Sequence, residues 1–138
     1  MGKRTAYTIS IAILLAFLVI FFFYQSPIQV VETTIESVQI GSKQNVNIKP
    51  EDIAKIDSFF SFVKDNQLGT PEVKYREIVT SNNQSQVIAD FQVVSYKGDN
   101  SVNKIYGGNM VFTLQKNSIL NWGIERIEIG QSMQEVKP

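Results

Sequence analysis

The chain has 138 residues with 13 basic and 13 acidic side chains and no net charge, a length that suits one domain and is too short for two. It contains neither cysteine nor histidine. That removes disulfides, thiolate nucleophiles, cysteine-borne lipid and the usual structural zinc, together with the commonest general base and metal ligand.

Ala6 to Tyr24 reads AYTISIAILLAFLVIFFFY, and no charge falls between Arg4 and Glu32. This matches the roughly 20 apolar residues that cross a hydrocarbon core of about 30 Å as a helix. The alternative is a cleaved signal peptide, whose apolar core is usually only about 7 to 15 residues and ends in small residues. The flank here is Phe23, Tyr24, Gln25, Ser26 and Pro27, a poor cleavage site, so the expectation is an uncleaved anchor. Lys3 and Arg4 precede the span and the next basic residue is Lys43, so the positive-inside rule keeps residues 1–5 cytoplasmic and sends the rest of the chain out of the cytoplasm. Phe21 to Tyr24 suit the outer interface. Beyond the span, the eleven basic residues left after Lys3 and Arg4 meet all thirteen acidic ones, with no concentrated basic face for nucleic acid.

After Pro27, Ile28, Val31, Ile35 and Val38 recur at helical spacing, although Val30, Val31, Thr33, Thr34 and Ile35 are β-branched and keep a strand in contention. Ser26 as N-cap and Pro27 as first helical residue favour the helix. The polar stretch Gly41 to Ile48 follows. Pro50, Glu51 and Asp52 then open a helix to about Asn66, with a stripe of Ile53, Ile56, Phe59, Phe60 and Val63 and acids in the first turn.

From Pro71 onward the pattern predicts strands at Glu72 to Thr80, Gln86 to Tyr96, Lys104 to Gln115 and Leu120 to Ile129, joined by short turn-forming segments that make neighbours antiparallel. Alternation assigns Val87, Ala89, Phe91 and Val93, and Tyr106, Gly108, Met110, Phe112 and Leu114, to the buried face. In the last strand Trp122 and Ile124 have one parity and Ile127 and Ile129 the other, which a one-residue bulge near Glu125 and Arg126 reconciles. The expected class is α+β: a transmembrane helix over 6–24, then a domain over 27–130 in which two helices pack on a curved four-stranded antiparallel sheet. Residues 131–138 read as a flexible polar tail.

The order of elements, with Ser26-Pro27-Ile28-Gln29-Val30-Val31-Glu32 opening the first helix and Met110 to Lys116, a polar turn, Trp122-Gly123-Ile124 and Ile127 closing the sheet, resembles the cystatin-like or NTF2-like superfamily. The resemblance implies a cone-shaped domain. Enzymes of that superfamily place acid and base residues inside the cone; here such a site would rest on Asp90, Tyr75, Tyr96 or Tyr106. In layout the chain is similar to the VirB8-like subunits of conjugation and secretion machines, longer proteins whose external domain binds other subunits and itself without chemistry of its own.

Four residues are candidates for a pocket or interface: Asp90, Tyr96, Tyr106 and Trp122. Asp90 has the parity opposite to Phe91, which gives it a solvated or edge position, and Trp122 reads as core or as an interface anchor. Gly107-Gly108 lacks the spaced glycines and following helix of a phosphate loop and reads as a strand irregularity. Asn83-Gln84-Ser85 is a formal glycosylation acceptor. Glu51, Asp52, Asp57 and Asp65 lack the spacing of a calcium loop and read as a solvated face. No catalytic group, cofactor or metal is implied. Three classes of function remain: an interaction module among membrane or envelope proteins that also allows self-association, a pocket inside the cone for a small apolar or envelope ligand, and an enzyme.

Overall fold

The computed structural model describes residues 2–42 and 46–137. Within them the chain runs α1 (Lys3–Phe23), α2 (Pro27–Gln39), α3 (Pro50–Asp65), β1 (Glu72–Val79), β2 (Gln84–Tyr96), β3 (Val102–Lys116) and β4 (Trp122–Glu135). Lys43, Gln44 and Asn45 of the polar stretch, Met1 of the N-terminal flank and Pro138 of the expected tail lie outside the described residues. The class is α+β, with two helices against a four-stranded antiparallel meander of order β1-β2-β3-β4.

The 21 residues of α1 have a mean hydropathy of 2.6 over their most apolar window and bury no side chain. At about 1.5 Å per residue the helix is roughly 30 Å long, long and apolar enough to cross a membrane.

The β-branched run after Pro27 is helical because its start is nucleated from outside. The Gln29 amide donates to Ser26 Oγ at 3.2 Å and the Ser26 amide to Gln29 Oε1 at 3.0 Å, a capping box that satisfies two otherwise orphaned donors. Val31, Ile35 and Val38 then form the buried stripe. The helix ends on Gly41 at φ 80°, with the Ser42 amide on the Ser37 carbonyl at 2.9 Å and the Gly41 amide on the Val38 carbonyl at 3.1 Å, the paired bonds of a Schellman motif. Helix α3 ends the same way on a residue that does not advertise it: Gln67 takes φ 53°, and the Leu68 amide reaches the Val63 carbonyl at 2.9 Å.

One acid departs from the solvated face expected for this helix. Asp52 is buried, 4 % exposed, with Lys55 Nζ donating to its Oδ1 at 3.0 Å and to the Ile127 carbonyl at 2.7 Å. The ammonium thus ties the first turn of α3 to β4, which makes burial of this carboxylate tolerable.

In the sheet, alternation places Val87, Ala89, Phe91 and Val93 of β2 and Met110, Phe112 and Leu114 of β3 on the helix-covered face, all buried. Phe59 and Phe60 of α3 meet Phe91 edge-on at centroid distances of 4.9 and 6.0 Å, so helix and sheet are locked by aromatic contact. Between β3 and β4 the register slips where the apolar parity changes: Leu114 faces Ile124 and Thr113 faces Arg126, leaving Glu125 as the extra residue. This bulge lets Ile124 pack on the core and buries Ile127 completely.

The expected tail is a correction. Strand β4 continues to Glu135, with Met133 only 8 % exposed in the core. Polar composition concealed it because two further slips, around Gly130 and between Gln131 and Gln134, break the alternation that would mark a strand. Gly108 explains how β4 lies there. A Cβ on it would sit 2.7 Å from the Gln131 carbonyl oxygen and 3.0 Å from the Met133 nitrogen. The close neighbour admitted by Gly108 is therefore the bulged β4 backbone.

Candidate functional site

The sheet has two faces with different fates. Side chains of the odd-numbered β2 residues enter the core, and those of the even-numbered ones point to the face that α2 and α3 do not cover. On that outer face the cross-strand rows are Glu72 with Gln92 and Gly107, then Lys74 with Asp90 and Asn109, the second continuing to Gln131 on β4. Gly107 contributes no side chain to the middle of its row, the Val136 side chain closes over it, and beside them a depression of about 360 Å³ opens, walled also by Glu72, Lys74, Asp90, Asn109, Gln131 and Ile105. A second depression of about 370 Å³ shares Glu72 and Gln92 with it and extends to Gly69, Val94 and Tyr96. Together they form one groove along the outer face.

Charges in the groove are paired loosely. Arg76 Nε donates to Asp90 Oδ2 at 3.0 Å, with the two side chains 63 % and 38 % exposed, and Lys74 lies 3.7 Å from Glu72. Exposed pairs of this kind contribute only ~0–1 kcal/mol to stability, and their polar atoms stay within reach of an incoming group.

Asp90 thus lines the first depression and Tyr96, 63 % exposed, the second. Tyr106 and Trp122 are elsewhere. Tyr106 is half-buried on the helix side with its ring 5.6 Å from that of Phe62. Trp122 packs against the core at the far end of β3 and β4, with Lys116 Nζ 5.9 Å from its ring centroid. Its Nε1 is buried without a hydrogen-bond partner. The four sequence candidates therefore form no single constellation.

Tyr75 faces the helices from β1. Burial, aided by the carboxylates of Glu32 and Glu36 on α2, pushes its phenol up to about 12, so it stays neutral at ordinary pH. Ser85 of the glycosylation acceptor is the first inward residue of β2; it is fully buried and donates to Glu77 Oε1 at 2.9 Å. Among the described residues no three acidic side chains gather as a cation site.

Sequence reasoning missed the groove because it depends on the absence of a side chain at Gly107 beside the polar pairs, which only the strand register reveals. Of its walls, Asp90 was visible by its parity opposite to Phe91, whereas Gln131 and Val136 fell in the expected tail. No family model, no curated protein and no solved structure matches this chain.

Proposed function

We propose that this chain is a non-catalytic, membrane-anchored interaction module, a subunit of a bacterial envelope assembly of the conjugation or secretion type. In this reading α1 is an uncleaved single span with its N-terminus in the cytoplasm, and the domain from α2 to β4 docks other membrane or envelope proteins on the extracytoplasmic side. The observation that carries it is the division of the sheet: the covered face is filled by its own side chains, while the outer face presents a groove of polar groups and apolar walls that none of the described helices and strands covers.

Lys3 and Arg4 before the span support the orientation, and anchoring raises the domain's effective concentration beside membrane partners. The resemblance to NTF2-like external domains points the same way. A ligand inside the cone draws no support from the interior, where Phe59, Phe91 and Phe112 occupy the space between helices and sheet.

The test is to tag the C-terminus, cross-link intact cells, solubilise the membranes in mild detergent and identify what co-purifies. A stoichiometric set of envelope proteins is the expected result. Recovery of the chain alone, or only with copies of itself, overturns the proposal.

A further inference from the structure

We infer that the β3–β4 hairpin is a second membrane contact, seating the tip residue Ile119 in the lipid interface of the leaflet from which α1 emerges. The inference rests on the reading of α1 as a bilayer span, and it adds a fixed seating of the domain to what would otherwise be a tether.

The connection between the two is direct. Gln25, two residues beyond the end of α1, donates its amide to the Leu120 carbonyl at 3.2 Å. Two residues of chain cover at most about 7 Å, and the headgroup layer on each side of a bilayer is roughly 5–7 Å deep. With Phe23 at the edge of the hydrocarbon, the Leu120 backbone therefore falls within the headgroup layer.

The loop is built to hold its tip outward. The Asn117 and Ser118 amides donate to the Asn121 carbonyl at 3.0 and 3.3 Å, and the Leu120 amide donates to Ser118 Oγ at 3.3 Å. These bonds close the turn on itself and leave Ile119 76 % exposed. An isoleucine fixed at the apex of a polar turn gains nothing from water and is favoured at an acyl boundary. At the base of the turn stands Lys116, a cation suited to lipid phosphate, over the ring of the core-packed Trp122.

The opposite end of the sheet serves as the internal reference. Strand β2 has 13 residues, so at ~3.3 Å per residue its two ends are about 40 Å apart. The β2–β3 turn, with Gly98, lies at the end away from Asn117 to Asn121.

The chain lacks cysteine, so single variants Leu14→Cys, Ile119→Cys and Gly98→Cys of the full chain each carry one nitrobenzoxadiazole label. They are reconstituted into phosphatidylcholine and phosphatidylglycerol vesicles with and without doxyl-labelled phosphatidylcholine. Neither the exposed Ile119 nor Gly98, around which there is open space, supplies packing that the label would remove. The expected result is blue-shifted emission and severalfold stronger quenching at position 119 than at 98, with strong quenching at 14. Labels at 119 and 98 that both escape quenching, while the one at 14 is quenched, overturn the hairpin contact and leave the anchor standing. Equal quenching at 119 and 98 also overturns it, because the domain would then lie flat on the lipid. A label at 14 untouched by the quencher overturns both.

Discussion

Replacing Gly108 with alanine tests how β4 is held. The added methyl would lie 2.7 Å from the Gln131 oxygen, 3.0 Å from the Met133 nitrogen and 3.0 Å from the Ser132 carbonyl carbon, all backbone atoms. To reach an ordinary C···O separation of ~3.3–3.6 Å, β4 must retreat by roughly 0.6–0.9 Å. Overpacking of this kind costs ~1–3 kcal/mol, offset by the ~0.5–1 kcal/mol that alanine recovers over glycine within a strand. The ceiling is release of the strand end, which surrenders the burial of Met133, worth ~1.5–3 kcal/mol. The expected loss is about 1–2 kcal/mol. Because α1 buries no side chain, the fragment from Gln25 onward retains the whole core and suits urea unfolding, with hydrogen exchange at 131–135 as the local readout. Gly98→Ala, with nothing within 4 Å of its Cβ, should change stability by less than ~0.5 kcal/mol. Equal unfolding midpoints for the two variants, with unchanged protection at 131–135, would refute the assignment of Gly108 to strand approach.

Lys55→Met leaves the Asp52 carboxylate buried without its ammonium and the Ile127 carbonyl without a donor. Fully buried pairs cost ~3–5 kcal/mol when broken; with Lys55 37 % exposed the expected loss falls to about 1–3 kcal/mol, and adding Asp52→Asn should restore part of it in a double-mutant cycle. Tyr75, whose phenol is raised to about 12 in the folded state, binds its proton more tightly folded than unfolded. Its contribution is complete below pH ~10 and declines as pH rises from ~10 towards 12, by an amount on the order of 2 kcal/mol. The urea midpoint should fall between pH 9 and 11.5 by more in the wild type than in Tyr75→Phe, and equal declines would sink the assignment. Deleting Glu125, the extra residue opposite Thr113 and Leu114, should be tolerated in thermal unfolding. Deleting Ile88 from the regular ladder, which would turn Val87 and Ala89 to opposite faces, should abolish the cooperative transition.

How much was legible follows from the kind of signal each feature leaves. Local chemistry was readable: Ser26 and Pro27 announce α2, and the alternation of Val87, Ala89, Phe91 and Val93 announces the core face of β2. Even the Glu125 bulge was implied, because two apolar parities within one strand have to be reconciled. What escaped depends on contacts across the chain. Asp52 looked like one more acid in a first turn, and its burial becomes visible only with Lys55 reaching the Ile127 carbonyl. Residues 131–135 looked like tail because successive bulges erase the period, and the glycine that accommodates them lies in another strand. The groove around Asp90 and Gly107 needed the register of several strands at once.

The central claim is that the uncovered sheet face docks a partner. The most direct measurement places a photo-reactive amino acid at Gln92 or Asn109 in the groove, and at exposed Ser61 on α3 as reference, in the full chain in its own cells. The account predicts that irradiation attaches the same envelope protein to positions 92 and 109 and not to 61. Adducts only from position 61, or none from the groove in cells where the domain is folded, would contradict it.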